Sequence, residues 1–244
     1  MFMLLINTLQ NLPLFKNIQA QTLTTIAQGS KFNYYKKGIV FYDALATEKS
    51  EFYYIVKGWV KLFTVSQDGV EIIRDILTDN HHFNEELLYR DSMGFLSAQA
   101  ISDLQIIMMP IAILKQRLAQ DPQLAVNLLT ESLQKQCELS HAMEHLAIQN
   151  AAQRIGCFLL RLCPTDQSHS ISLHFPYSKT LVATKLGMCP ETFSRALLKL
   201  SKICQLEING ENIHIPRLDF LSKYVCRLCS LSYPCHTILP SLAH

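Results

Sequence analysis

Residues Pro122 to Gln149 run without an internal glycine or proline, and the long helix they predict constrains everything around it. Short strands precede it, and helices with a small hairpin follow, so an α+β chain is divided by its longest element. Along that helix Val126, Leu129, Leu133, Met143 and Ala147 keep a three-four spacing, with Gln136 and Ser140 at the polar positions of the same stripe. A second apolar line runs through Leu124, Leu128, Leu139 and Leu146. One side therefore serves the helix's own domain and the other a partner. A two-stranded coiled coil between two copies is the expected use, and a core helix of a single chain is the alternative.

With 244 residues, 49% of them hydrophobic, the chain can build two modest domains with ordinary cores. A net charge of +2 is too small to advertise nucleic-acid binding by itself, so any DNA contact must come from a local patch. The apolar start, Met1 to Ile6, lacks a basic region and is too short to cross a bilayer or act as a secretion signal. A cytoplasmic protein with no membrane partner is expected. Its eight cysteines are then buried thiols, metal ligands or redox sensors rather than disulfides.

Asn11 to Gln28 reads as a helical lead-in with Leu14, Phe15, Ile18, Leu23 and Ile26 as apolar positions. From Lys31 to Leu77 the pattern turns towards period two, punctuated at Gly38, Gly58 and Asp68-Gly69. FYYIVKGWVKLFTV, the Asp68-Gly69 turn and VEIIRDIL give the clearest hairpin. One more strand is expected over Ser97 to Met109, which makes residues 1–121 a compact antiparallel β-roll able to hold a ligand. After a short helix over Ile111 to Gln120 comes the long one, 122–149.

Asn150 then caps an amphipathic helix whose Ile155, Phe158, Leu159 and Leu162 can cover the next elements. Ile171 to Phe175 alternates like a strand, and a tight hairpin is expected around Asn209-Gly210. Between them, SKTLVATKLGMCPETFSRALLKL reads as two helices joined by a turn. Ser178 caps the first, Gly187 ends it and Pro190 starts the second. Phe193, Ala196, Leu197 and Leu200 form the buried stripe of the second helix, leaving Glu191, Thr192, Ser194 and Arg195 near its exposed N-terminal end. That is the end a recognition helix points into the major groove. Residues 150–217 are thus a winged helix-turn-helix, and 218–244 a cysteine-containing tail. No nucleophile elbow or phosphate loop appears, so no enzyme is expected.

In this order the chain resembles the CRP/FNR superfamily of bacterial transcription regulators over almost its whole length, most specifically in FYYIVKGWVKLF, NAAQRIGCFLL and PETFSRALLKL. Within it the E-x-x-S-R pattern is most similar to the FNR and DNR branches. The resemblance implies a homodimer that binds a palindrome of double-stranded DNA and contacts RNA polymerase. It also implies that Glu191, Ser194 and Arg195 read TTGAT-like half-sites. The chemistry agrees: Arg195 can bond guanine O6 and N7, Glu191 can accept from a cytosine amino group, and Ser194 can approach a thymine or adenine edge. Lys179, Thr180 and Thr192 suit phosphate contacts that set orientation. A solvated Glu191–Arg195 ion pair on an ordinary helix is the bland alternative, and an RNA- or protein-binding regulator that has lost operator recognition is the alternative from another class.

Cyclic-nucleotide receptors of the superfamily use a Gly-Glu pair for the ribose and an Arg-Ser/Thr pair for the phosphate. This chain has Asn84-Glu85 and Phe95-Leu96 there, so cyclic AMP is not the expected effector. Cys226, Cys229 and Cys235 form a C-x-x-C-x5-C run that can bind one metal centre. It resembles the tail of bacillus-type FNR proteins, which implies a 4Fe-4S cluster and a sensor of oxygen, nitric oxide or redox state. Its fourth ligand is open among Asp219, Asp166, Cys137, Glu138 and His141. Zinc with His236, no metal at all, or haem near His81 and His82 are the alternatives. A histidine pair there is more often surface polar structure than an axial ligand. Cys157, Cys163, Cys189 and Cys204 are expected to be small packing residues.

Overall fold

The computed structural model describes residues 2–43, 51–89, 96–163, 170–174, 178–210 and 212–228. The chain divides into two compact units, Met1–Ser132 and Leu133–His244.

The first unit opens with helices α1 (Phe2–Asn11) and α2 (Ala20–Gly29). Strands β1 (Lys31–Tyr35), β2 (Val40–Asp43), β3 (Glu51–Lys57), β4 (Val60–Val65), β5 (Glu71–Leu77), β6 (His82–Phe83), β7 (Ser97–Ala100) and β8 (Leu104–Pro110) follow. Helix α3 (Ile111–Gln120) and the first turns of α4 (Pro122–Ile148) complete it. The lead-in differs from the single helix expected over 11–28. Pro13 starts a short 3-10 turn and Asn17 takes a left-handed φ of 58°, which breaks the run and lets α1 form ahead of it.

Two four-stranded antiparallel sheets face each other, ordered β1-β8-β3-β6 and β2-β7-β4-β5. Their inner faces enclose Tyr42, Tyr53, Ile55, Val60, Leu62, Phe83 and Ile106. The outer face of the first sheet carries Phe52, Tyr54, Ile107 and Met109 against the helices. Both faces of β3 are therefore covered, and Glu51 through Ile55 are all buried.

The hairpin over 60–77 forms as read. However, β3 and β4 belong to different sheets, separated at Gly58, whose φ is 111° and whose added Cβ would lie 2.5 Å from the Asp103 carbonyl oxygen. The single strand expected from Ser97 to Met109 is in fact two, β7 and β8. Ser102 accepts from the Trp59 N–H at 2.9 Å and Asp103 pairs with Lys36 at 2.7 Å, so side chains hold the break that period-two alternation conceals.

The start of α4 is fastened by Asp121. One carboxylate oxygen accepts from the N–H groups of Gln123 and Leu124 (3.1 and 3.4 Å), capping the helix, and the other from Gln19 (2.9 Å), just before α2. Asn127 adds bonds to the carbonyls of Leu14 and Lys16.

The second unit contains the rest of α4, α5 (Ala151–Leu162), β9 (Ile171–His174), α6 (Lys179–Lys185), α7 (Pro190–Cys204), β10 (Glu207–Asn209), β11 (Asn212–Ile215) and α8 (Leu218–Val225). Asn150 caps α5 as read, and Gln153 returns the bond to close a capping box. The wing is a three-stranded antiparallel sheet, β10-β11-β9. Asn209 pairs with Asn212 inside the ladder, so the strand extends through Asn209 and the turn expected at Asn209-Gly210 falls beyond it, with Gly210 supplying the left-handed φ of 62°. Residues 218–225, the start of the tail, fold as a helix with Leu218, Leu221 and Val225 buried; α8 packs on α5, where a Cβ on Gly156 would lie 2.4 Å from Val225 Cγ2. Among the described residues no helix is long and apolar enough to cross a membrane.

Candidate nucleic-acid interface

The helix-turn-helix is built by two caps and one stripe. The Ser178 hydroxyl accepts from the Leu181 N–H, starting α6. Gly187, at φ 64°, ends it: the Gly187 N–H reaches the Thr184 carbonyl and the Met188 N–H reaches that of Ala183, a Schellman pair. Helix α7 then begins at Pro190 and buries Phe193, Ala196, Leu197 and Leu200 against the domain. In α6 it is Val182 and Ala183 that are buried, while Leu181 and Leu186 are half-buried.

Glu191, Ser194 and Arg195 are exposed together on the first two turns of α7, and Thr192 is half-buried beside them. No ion pair joins Glu191 to Arg195 among the described residues, so both charged ends are available to a ligand. Ser194 Oγ donates to the Pro190 carbonyl at 2.9 Å. Lys179 and Thr180 are exposed at the start of α6. Cys189 departs from the packing role expected of it. It is the exposed N-cap of α7, with its Sγ 3.1 Å from Thr192 Oγ1, because the residue before Pro190 is held extended outside the helix. Cys157, Cys163 and Cys204 are buried as expected, and burial raises the thiols of Cys163 and Cys204 to about 11.

The long helix shows both of its faces. Leu124 and Leu128 are buried in the first unit. Val126, Leu129, Leu133 and Met143 are 54, 60, 46 and 72% exposed, and Ala147 is exposed as well. Leu139 and Leu146 are also exposed, so the second apolar line serves the chain's own core only at its first two positions.

His82 corrects the reading of a surface pair. His81 is exposed, but His82 is buried with its ring stacked on Phe52. Its Nε2 lies 3.0 Å from Glu131 Oε2 and its Nδ1 3.5 Å from Glu85 Oε2. Burial alone would push this imidazole down; the carboxylates of Glu131 and Glu85 outweigh it and lift its pKa to about 9. With a carboxylate at each nitrogen, His82 is not poised as a haem ligand. Sequence could not show this, because Glu131 lies far along the chain on another element. Asn84, standing where cyclic-nucleotide receptors have glycine, takes a left-handed φ of 69°, and its amide donates to the Glu51 carbonyl at 3.2 Å.

Of the tail cysteines, Cys226 follows α8 and is half-buried; Cys229, Cys235 and His236 lie outside the described residues, as do Asp166 and Phe95. The other candidates for a fourth ligand mostly have partners: Asp219 pairs with Arg217 at 2.9 Å, Glu138 with Arg161 at 2.9 Å and His141 with Glu144 at 3.3 Å. Cys137 is half-buried on α4. Among the described residues no three histidine, cysteine or carboxylate groups are placed to hold one metal ion.

Comparison with known proteins agrees with this architecture. Residues 32–121 match the cyclic nucleotide-binding domain and 153–224 the Crp-like helix-turn-helix domain. The chain belongs to the CRP/FNR superfamily of helix-turn-helix transcription regulators. It is 31% identical to the nitrogen fixation regulation protein FixK of Azorhizobium caulinodans over 157 residues, which span 62% of this chain and 61% of FixK, less than two thirds of that relative. To the global nitrogen regulator of a Nostoc species it is 26% identical over 176 residues, 70% of this chain and 79% of that protein. Among solved structures, FixK2 from Bradyrhizobium japonicum shares the fold at a TM-score of 0.64 and 23% identity, with 79% of this chain and 95% of that one covered.

Proposed function

We propose that this protein is a homodimeric, non-enzymatic regulator of the cytoplasm that reads TTGAT-type palindromes with one α7 from each copy and contacts RNA polymerase from the bound site. The observation that carries this reading is the shared exposure of Glu191, Ser194 and Arg195 on the end of a helix whose opposite face is fixed by Phe193, Ala196, Leu197 and Leu200. Lys179, Thr180 and Thr192 flank that end as phosphate contacts. The exposed stripe of α4 supports pairing of two copies, since a row of large apolar side chains in water favours burial against its like. The test is binding to a duplex with two TTGAT half-sites at fixed salt. Arg195→Ala removes about 1–3 kcal/mol at each half-site, a loss of at least about 30-fold over both. Unchanged affinity in that variant would refute the assignment of α7 as the reader.

The signal is assigned to redox chemistry rather than to cyclic AMP. Glu85, at the position that takes the ribose in cyclic-AMP receptors, lies against His82, and Tyr42, Tyr53 and Phe83 pack the roll beside it. Cys226, with Cys229 and Cys235, would supply thiolates to an iron–sulfur cluster, whose redox and ligand-exchange chemistry answers oxygen or nitric oxide. Protein purified without oxygen should carry iron and sulfide and lose both in Cys226→Ser and Cys229→Ser. Stoichiometric zinc in a colourless sample would refute the cluster and leave DNA reading intact.

A further inference from the structure

Strand β6 is two residues long, and successive strand residues face opposite sides of a sheet. Phe83 turns into the roll, where its ring stacks on Tyr53 with centroids 4.7 Å apart and planes 3° apart, and it lies 6.2 Å from Tyr42. His82 turns outward to the helices, stacked on Phe52 at 5.0 Å and 3.0 Å from Glu131 on α4. Glu131 stands at the edge of the first unit, which ends at Ser132, and α4 continues unbroken to Ile148.

We propose that His82 and Glu131 are positioning residues that carry a change inside the β-roll to α4, with Phe83 as the member that feels the change. Any rearrangement of the aromatic stack that moves Phe83 moves the backbone it shares with His82. The imidazole then drags or releases the Glu131 carboxylate, and the rigid helix relays the shift past Ser132. A buried ion pair suits this task better than an apolar contact. Apolar surfaces slide with little penalty, whereas separating a buried pair leaves a charge uncompensated. Beside Glu131 the Tyr54 hydroxyl is buried and has no hydrogen-bond partner among the described residues, so it is a polar neighbour that would be left facing the carboxylate. The charged groups facing His82 are Glu85 from the turn after β6 and Glu131 from α4. This inference rests on the proposed function in that the pairing and DNA reading served by α4 are the output.

Amide hydrogen exchange on the full chain tests it without DNA. His82→Gln and Glu131→Gln should each speed exchange across 133–148 on the order of 5-fold or more, with α2 and β8 unchanged, and the double variant should match the singles. Glu131→Gln keeps the shape of the side chain and serves if His82→Gln does not fold. Exchange over 133–148 equal to that of the unmodified chain would overturn the linkage. So would acceleration that extends equally through α2 and β8, which would mean that the pair only stabilises the fold. Operator affinity is measured in parallel: an unmodified chain that binds no palindrome refutes the DNA-reading function and leaves the exchange result to judge the linkage.

Discussion

Removing the His82 imidazole should flatten the pH dependence of the first unit's stability between pH 6.5 and 9. A histidine free in the unfolded chain titrates near 6.5, and His82 in the fold near 9. At about 1.36 kcal/mol per pH unit, the folded environment favours the protonated ring by about 3 kcal/mol. The sign follows from the raised value: the contribution is complete below pH 6.5, shrinks as pH rises through the window and is gone above 9. Trp59, the chain's one tryptophan, lies between β3 and β4 and reports on this unit alone. Urea unfolding followed by its fluorescence should show the midpoint falling by about 1–3 M between pH 6.5 and 9, given a slope of about 1–3 kcal/mol per M. His82→Gln also loses the stack on Phe52, but that penalty is independent of pH, so the diagnostic quantity is the slope. Parallel slopes in the two proteins would refute a charged His82.

Four further outcomes follow from packing and capping. Gly156→Val should destabilise the second unit by about 1–3 kcal/mol because its Cβ would collide with Val225, and Val225→Ala should recover part of the loss in a double variant. Asn150→Ala should lower the thermal midpoint through a loss of about 1 kcal/mol at the α5 cap, with α5 content measured by circular dichroism. Asp121→Ala should cost more than a single cap, since three N–H groups lose their acceptor; it should also reduce acid sensitivity, because backbone N–H bonds outweigh burial and hold this carboxylate below its ordinary range. Leu129→Asp with Met143→Glu should convert the proposed dimer to monomer in sedimentation while each folded unit persists.

Much of this molecule is written locally. The caps at Asn150 and Ser178, the stop at Gly187 and the stripe of α7 each depend on residues within about one or two turns, and the chain shows them without tertiary information. The same holds for the Glu191, Ser194 and Arg195 cluster, whose exposure follows from the stripe. What the local sequence conceals is set by distant partners. Gly58 interrupts an aromatic run that looks continuous, because Asp103 comes up against it from the β7–β8 connection. The β7–β8 break is held by Trp59 and Lys36, neither of them nearby in sequence. His82 reads as surface because nothing within several residues reveals Phe52 or Glu131 closing over it. Cys189 reads as packing because a small apolar residue beside a helix usually is; only the turn geometry puts it in water.

The bond from Ser194 to the Pro190 carbonyl bears on which letters this helix can spell. A serine hydroxyl ordinarily both gives and accepts, which makes it a permissive reader able to suit keto and amino groups alike. With its proton committed to the helix backbone, Ser194 would offer only lone pairs to a groove read by α7 as proposed. It thereby favours the amino edges of adenine or cytosine over the O4 of thymine or the O6 of guanine, unless it surrenders a bond worth about 1 kcal/mol. An ambiguous symbol becomes a one-valued one, and the vocabulary of the half-site narrows at a residue that carries no charge.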